Sequence, residues 1–579
     1  KLRKMTFQER GLMLKALALH LMEKKKDFYK VSAWTGATKV DSWIDIEGGI
    51  GNLFAYASLR RQFPNEPFYV DGQAAKLSKE GTFIGNHNMV TKQGVAIQIN
   101  AFNFPVWEKI EKVAVNWLAG VPAIVKPATI TSYLTEVVVK EIIASGIVPE
   151  GAIQLICGSA NGILDHVINQ DVVTFTGSAS TGKMLKSHPR LLEESVPFNM
   201  EADSLNCAIL GEDAVPGTEE FDLFIKEVQR EMTVKCGQKC TAVRRIIVPE
   251  KLVEDVQIAL GKRLEKVVIG DPSVEGVKMG SLAGKEQVKE VIEKVELLAK
   301  SQDIVFGDYH KFEVTGADKD KGAFISPILF LNKNPFKNTD CHNVEAFGPV
   351  STIMPYKNLD EAIELSKMGK GSLVSSIATF DDKIAKEYVI NAAAYHGRIL
   401  VLNRESAKES TGHGSPMPLL VHGGPGRAGG GEEMGGVRGV KHYMQRTAIQ
   451  GTPTTITNIT NVYQQGADAN ETDIHPFRQH FEDLKLGDTL ITRKHTVTEA
   501  DIVNFANVSG DHFYAHVDAT SLEGTIFEQR VAHGYWVLSK AAGLFVDGKK
   551  GPVLLKYEID EYKFTKQVYQ GMTNDSKFS

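Results

Sequence analysis

Five cysteines in 579 residues, at positions 157, 207, 236, 240 and 341, are too few for a disulfide framework. That scarcity fits a reducing cytoplasm. Cys236 and Cys240 have no second Cys/His pair at zinc spacing, so no metal site is expected. The chain also lacks a charge surplus. Its net charge of −5 excludes the basic surface that nucleic acid or an anionic membrane would attract. No apolar run approaches the ~20 residues of a membrane span. No internal repeat is visible. There is no initiating Met and no signal-like pattern at Lys1, and Asn574-Asp575-Ser576-Lys577-Phe578-Ser579 stops abruptly, so residues are expected to be missing at both ends.

What is present is the composition of a globular protein, with 42% hydrophobic and 24% charged residues. The length exceeds one ordinary domain. Thr6 and Glu9 predict a capping box that opens a helix whose face carries Leu14, Leu17 and Leu21. From Gly94 onward short apolar runs alternate with helical patterns. Strands are expected at 95–99, 123–125, 153–156 and 172–175, and helices at 107–118, 132–145 and 161–168. Such alternation predicts a parallel, doubly wound sheet, which binds nucleotides at the carboxyl ends of its strands. A second α/β unit is expected from about Leu205 to Leu402.

The stretch from His422 to Gly431 is dense in glycine. It reads either as a flexible linker or as a loop whose backbone approaches a ligand. A polar stretch around 464–473 reads as an interdomain linker. Beyond it a helix is expected at 499–507, a second near His533 and strands from Gly551.

Two groups of residues carry chemistry. Glu201 and Cys240 pair a carboxylate with a thiol, as acyl chemistry requires. Asp511 and His516 in Gly510-Asp511-His512-Phe513-Tyr514-Ala515-His516 suit proton transfer, although a lone pair of that spacing is as readily a surface loop. The nucleotide region has no G-x-G-x-x-G. Gly177-Ser178-Ala179-Ser180-Thr181-Gly182-Lys183 nearly satisfies the P-loop pattern, but Met184 stands where the Mg²⁺-binding hydroxyl would be. The remaining reading is a strand–glycine–helix turn that seats a pyrophosphate.

Asn100-Ala101-Phe102-Asn103-Phe104-Pro105, Lys126-Pro127-Ala128-Thr129, Phe175-Thr176-Gly177-Ser178, Glu201, Gly237-Gln238-Lys239-Cys240 and Glu345-Ala346-Phe347-Gly348-Pro349 come one after another in the order of the aldehyde dehydrogenase superfamily, which this chain resembles. The resemblance implies a Rossmann-like fold with a nucleophile at Cys240, a water-activating base at Glu201 and an oxyanion donor at Asn103. It places cofactor contacts at Lys126, Thr129, Phe175, Gly177, Ser178, Glu345 and Phe347. It also reads the glycine-dense stretch as the family's C-terminal glycine loop. Thr129 stands where a glutamate would repel a 2′-phosphate, which implies NADP as the preferred cofactor, with NAD as the alternative. The usual E-L-G-G-K around the base is here Glu201-Ala202-Asp203-Ser204-Leu205, so the backbone near the nicotinamide is expected to differ.

Gly510-Asp511…His516 and Val531-Ala532-His533-Gly534-Tyr535 resemble MaoC-like hot-dog hydratases. That implies Asp511 and His516 as the proton-handling pair and Gly534 at the N-terminus of a buried central helix. Phe513-Tyr514 replace the usual Asn-Pro, and the segment is shorter than a five-stranded α+β hot-dog domain needs. The expected division is 1–463 for the dehydrogenase, with 1–204 and part of 420–463 serving cofactor binding and oligomerisation and 205–419 catalysis. A linker is expected at 464–474 and the hydratase at 475–579. The fusion is similar to the bifunctional (PaaZ-type) ring-cleavage family of aerobic phenylacetate degradation, on stretches such as Asp45-Ile46-Glu47-Gly48-Gly49-Ile50-Gly51 and 405–416. It implies ring opening of oxepin-CoA and then oxidation of the resulting semialdehyde. It also implies a CoA-thioester substrate and a dimer-based homo-oligomer, with a hexamer as one form. The alternative is a dehydrogenase whose C-terminal segment serves assembly only.

Overall fold

The computed structural model describes residues 1–160, 162–549, 559 and 562–578. They form two units, Lys1–Tyr69 with Met89–Arg446, and Val70–Asn88 with Thr447–Ser579.

The first unit opens on helix α1 (Phe7–Ser32). Thr6 Oγ1 accepts the Glu9 N–H at 3.2 Å and Glu9 Oε2 accepts the Thr6 N–H at 2.8 Å, so the predicted capping box is present. Leu14, Leu17 and Leu21 are fully buried against α2 (Gly49–Leu59) and α3 (Trp107–Ala119).

The nucleotide sheet is built from β1 (Ala96–Ile99), β2 (Ala123–Lys126), β3 (Ile153–Leu155), β4 (Val172–Thr176) and β5 (Phe198–Glu201). All are parallel, in the order β3-β2-β1-β4-β5. Helices α3, α4 (Ser132–Ala144) and α5 (Ala179–Lys186) connect them. The central strands β1 and β4 are short and buried along their whole length because both of their faces are covered. The strand order reverses between β1 and β4, so a crevice opens beyond Ile99 and Thr176. One predicted element differs. Asn161, where a helix was expected to start, lies outside the described residues. The segment Ile163–His166 is a 3₁₀ turn, since Gly162 at φ 80° and the extended Val167 confine it to one turn.

The second α/β layer holds β6 (Cys207–Leu210), helix α6 (Glu219–Thr233), β7 (Arg245–Pro249), β8 (Asp303–Phe306), β9 (Ile328–Leu331), β10 (Val350–Tyr356), β11 (Ser372–Ala378) and β12 (His396–Leu402). The order is β8-β9-β10-β7-β6-β11-β12, and only the edge strand β8 runs antiparallel. The glycine-dense stretch forms a hairpin, β13 (Val421–Gly423) with β14 (Glu432–Met434), rather than a free linker.

In the second unit helix Pro453–Thr460 is tied to the polar stretch on its C-terminal side. Thr457 Oγ1 accepts the Gln464 N–H and Thr454 Oγ1 the Asp468 N–H, both at 2.9 Å. These bonds give the expected linker local structure, and the second unit groups Thr447 onward with Val70–Asn88. Helix α7 (Glu499–Ser509) and helix α8 (Gly534–Leu544) lie where helices were expected. The helix expected to be a buried central one buries only Trp536, while Tyr535 is 69% exposed. The strands described from Asn470 onward are two to four residues long, too short to wrap a helix. The strand expected from Gly551 begins outside the described residues.

Candidate functional site

Cys240 stands on a strained turn before β7. Lys235, Cys236 and Gly237 have φ of 51°, 53° and 66° in succession. A side chain at Gly237 would meet the Gly348 carbonyl at 2.3 Å. Such left-handed backbone persists only where its surroundings over-determine it. Here Arg244 Nη2 donates to the Gly237 carbonyl at 2.8 Å and its Nη1 to that of Gly348 at 2.5 Å. Asn206 Nδ2 donates to the Cys240 carbonyl at 2.8 Å and to that of Ala242 at 3.0 Å. Both anchors are buried.

Glu201 ends β5, beside Thr176 of β4. The turn that carries Asn103 is fixed from behind. Asp45 Oδ1 accepts the N–H groups of Val106 and Trp107 at 3.0 and 2.8 Å, capping α3.

Cys240 and Glu201 lie where two clefts meet. The larger, about 370 Å³, is also lined by Asn103, Lys126, Phe175, Gly177, Ser178, Glu345 and Phe347. The smaller, about 40 Å³, is lined by Ile44, Phe104, Trp107, Glu108, Thr241, Pro416 and His422 among others. All the predicted residues of the first site except Thr129 thus share one cleft. Thr129 is exposed on the turn after Lys126 and does not line it.

The larger cleft fits an extended dinucleotide. It runs across the switch point of the sheet. Ser178 caps α5 by accepting the Thr181 N–H at 3.3 Å, and the Lys126 ammonium is only half-buried. Glu345 and Phe347 are held at its far end by Arg244, whose Nε is 3.6 Å from Glu345 Oε1 and whose guanidinium lies 5.5 Å from the Phe347 ring. The altered sequence after Glu201 has a visible consequence, since Asp203 pairs with Arg427 of the glycine-rich hairpin.

Sequence reasoning missed a buried ionisable cluster behind these residues. His422 Nε2 is 3.9 Å from Cys240 Sγ and 3.2 Å from Glu201 Oε2, while its Nδ1 is 3.3 Å from Glu111 Oε2. The approach to Glu201 is close but not aligned, and neither carboxylate oxygen has an aligned donor. Lys112 Nζ donates to Thr176 Oγ1 at 2.7 Å and Asn100 Oδ1 at 3.1 Å, and lies 3.6 Å from Glu433 Oε1. Burial pushes Glu111 and Glu433 up to about 7. Burial, with Glu433 and Glu111 nearby, also raises Glu201. Burial and then the Glu201 carboxylate push the Cys240 thiol well above its ordinary range. One signal was available in the sequence. Glu108, Glu111 and Lys112 recur at helical spacing inside a segment otherwise apolar enough to be core, and all three are buried.

In the second unit Asp511 Oδ2 is 3.9 Å from His516 Nε2, with the Asp511 side chain 52% exposed. His516 Nδ1 is fixed 2.6 Å from the Val531 carbonyl, and His533 Nε2 lies 2.9 Å from the Asp511 carbonyl. The two imidazoles stack with centroids 3.7 Å apart. Gly534 opens α8 beneath Phe564, whose ring a Cβ would meet at 1.8 Å. The structure thus brings all three predicted residues into one corner. Phe513 and Tyr514 are in tilted contact, their ring centroids 4.4 Å apart, and are 51% and 37% exposed.

Residues 1–449 match the aldehyde dehydrogenase family and residues 483–578 the MaoC like domain. The chain is 41% identical over 425 residues to 3,4-dehydroadipyl-CoA semialdehyde dehydrogenase of Aromatoleum evansii, covering 73% of this chain and 82% of that protein. It is 48% identical over 296 residues to Protein MaoC of Klebsiella aerogenes, covering 51% and 87%. A betaine aldehyde dehydrogenase of Staphylococcus aureus, solved with NAD⁺, superposes with a TM-score of 0.67 at 21% identity, covering 80% of this chain and 87% of that one. An aldehyde dehydrogenase of Bacillus cereus, also with NAD⁺, gives 0.67 at 22% identity, covering 78% and 85%. The chain belongs to the aldehyde dehydrogenase family, with a MaoC-like domain C-terminal to its dehydrogenase domain.

Proposed function

We propose that the chain is a bifunctional enzyme that opens the ring of oxepin-CoA at its MaoC-like domain and oxidises the resulting CoA-linked semialdehyde to the acid at Cys240. The observation that carries the oxidation is the position of Cys240 and Glu201 at the junction of two clefts, one sized for a dinucleotide and one narrow. The nicotinamide cofactor, when bound, accepts the hydride, and its contacts are Lys126, Phe175, Gly177, Ser178, Glu345 and Phe347. NADP is the proposed form, because Thr129 brings no carboxylate against a 2′-phosphate beside Lys126.

In this reading the aldehyde arm enters through the narrow cleft past Phe104 and Trp107. The Cys240 sulfur adds to its carbonyl carbon. The Asn103 amide and the Cys240 N–H stabilise the resulting oxyanion. Once the thioester has formed, Glu201 takes a proton from water and directs it at the acyl carbon. Burial raises its proton affinity above that of an ordinary carboxylate, which strengthens it as a base. The carboxyl groups of Glu111 and Glu433, at about 7, then carry that proton away.

For ring opening, His516 Nε2 and Asp511 activate water. The N-terminus of α8 at Gly534 favours the developing charge on the thioester carbonyl. An aldehyde prone to self-condensation gives a chemical reason to join the two sites. A homo-oligomer located in the cytoplasm is part of the proposal.

The half-exposed Asp511 and the half-buried α8 favour a second reading, in which the C-terminal unit serves assembly only. One assay pair separates them. Cys240→Ala is expected to abolish NADPH formation from oxepin-CoA while ring opening continues, and Asp511→Ala to abolish ring opening. Ring opening that survives Asp511→Ala would sink the bifunctional reading.

A further inference from the structure

We propose that His422 is a catalytic residue: its Nε2 takes the proton of the Cys240 thiol while Glu111 orients the ring, a Cys–His–Glu relay inside the dehydrogenase site. The proposal rests on the reading of Cys240 as the nucleophile.

A neutral imidazole offers one donor and one acceptor. Glu111 Oε2 already accepts the Trp107 indole N–H at 2.8 Å, which fixes it as an acceptor. His422 Nδ1 approaches the same oxygen at 3.3 Å, closer to hydrogen-bond alignment than Nε2 is to Glu201, which favours the tautomer with the ring proton on Nδ1. Nε2 then carries the lone pair, and it is the ring atom 3.9 Å from Cys240 Sγ. The ring is buried at 5% exposure on β13 and has no solvent-facing role.

The thiol needs such a base. Burial and the neighbouring carboxylates hold it protonated, so a sulfur left to itself would be a weak nucleophile. In the proposed step the S–H bond breaks and an Nε2–H bond forms. The sulfur lone pair bonds to the aldehyde carbon, and the C=O π pair moves to oxygen.

The charge created on the ring is met from every side. Glu111, Glu108 and Lys112 face the site from α3 and Glu201 from β5. Glu433 pairs with His422 across the β13–β14 ladder. Four carboxyl groups and one ammonium surround the ring, and although burial biases the carboxyls towards their neutral forms, Glu201 and Glu111 approach it within 3.2 and 3.3 Å and are placed to meet the charge when ionised. The two bases therefore divide the labour. His422 handles the thiol proton, which leaves Glu201 free for water.

The test is alkylation of Cys240 by iodoacetamide between pH 6 and 10 in the full chain. The adduct is mapped to Cys240, because Cys157 is the more exposed thiol. No aldehyde or cofactor is needed. His422→Ala is expected to slow alkylation at pH 7 by at least ~10-fold, with the rate recovering towards pH 10. Glu111→Gln is expected to slow it less, and Glu201→Gln to keep or raise the wild-type rate. A folded His422→Ala variant alkylated at the wild-type rate at pH 7 overturns the proposal. So does a loss that tracks Glu201→Gln instead. If His422→Ala does not fold, Glu111→Gln decides, and an unchanged rate there rejects the relay. Failure of the nucleophile reading itself has a different signature, a wild-type Cys240 that alkylates at no pH.

Discussion

Asn206 holds the carbonyl of Cys240 with its side-chain amide at 2.8 Å, while its own Oδ1 accepts from Ser204 Oγ at 2.7 Å and the Val374 N–H at 3.1 Å. The two donor bonds of that amide fix backbone at the nucleophile, at Cys240 and Ala242, and the bonds its oxygen accepts hold the amide in place. Asn206→Ala would leave two buried carbonyls without a donor, a cost of about 1–3 kcal/mol each at most. The expected result is a lower melting temperature and a kcat reduced more than KM, read from calorimetry and steady-state NADPH formation.

Gly237 poses the same question in backbone terms. At φ 66°, with the Gly348 carbonyl 2.3 Å from where a Cβ would sit, Gly237→Ala must move the turn. Strain of about 1–3 kcal/mol is expected, together with displacement of Cys240. Activity should fall well beyond what the loss of folded protein explains. A Gly237→Ala variant with unchanged kcat and stability would show that the turn does not set the sulfur's position.

The buried acids give a pH prediction whose sign is opposite to that of ordinary carboxylates. Glu433 is pushed up to about 7 from a usual value of 4.5, so the folded state binds the proton more tightly than the unfolded one. Its contribution favours folding at low pH and is lost as pH rises from 4.5 through 7. A rise of that size corresponds to about 3 kcal/mol as an upper bound. Glu433→Gln, which keeps the neutral shape, is expected to flatten the fall of melting temperature between pH 5 and 8. A variant whose melting curve parallels the wild type across that range would contradict this.

These tests reach residues that differ in how visible they are from the sequence. Asn103, Gly177, Glu201 and Cys240 were singled out by the resemblance of their motifs to those of aldehyde dehydrogenases, and the structure brings all four to one cleft. A parallel, doubly wound sheet was implicit in the alternation of short apolar strands with helices, whereas its strand order and the fifth strand, Phe198–Glu201, came only with the structure. His422, Glu111 and Glu433 were not legible, because they meet only through folding, across 311 positions in the case of Glu111 and His422. Asp45 illustrates the same point, as a cap for α3 supplied from 61 residues upstream. The polar stretch 464–473, read as a linker, lies between the two family matches, and hydrogen bonds accepted by Thr454 and Thr457 give it local structure that composition does not report.

In the second unit Gly534 admits the Phe564 ring directly over its Cα. Gly534→Ala is expected to displace that ring and the start of α8, lowering ring opening of oxepin-CoA at least ~10-fold, as for loss of an electrostatic donor. Oxidation of a supplied aldehyde should continue at the wild-type rate. If both activities fall together in folded protein, the two sites are not independent in the way proposed.

Cofactor choice gives the last prediction. Thr129 stands three residues after Lys126, exposed and outside the cleft lining, so it contributes no attraction of its own. Its effect in the proposal is permissive, since it leaves Lys126 as the charge nearest the turn. Thr129→Glu would place a carboxylate there. A like-charge clash with a 2′-phosphate costs more than the loss of a neutral contact, so affinity for NADP should fall while NAD, with a free ribose hydroxyl to bond, should gain. The expected outcome is a preference ratio, measured as kcat/KM for NADP over NAD with one aldehyde, shifted by ~10-fold or more towards NAD, about 1.4 kcal/mol. Because Thr129 is far from Cys240 in its chemistry, kcat with saturating NAD should change little. A wild-type enzyme that already favours NAD, or a ratio indifferent to Thr129→Glu, would remove the basis for proposing NADP and leave Lys126 as a contact common to both cofactors.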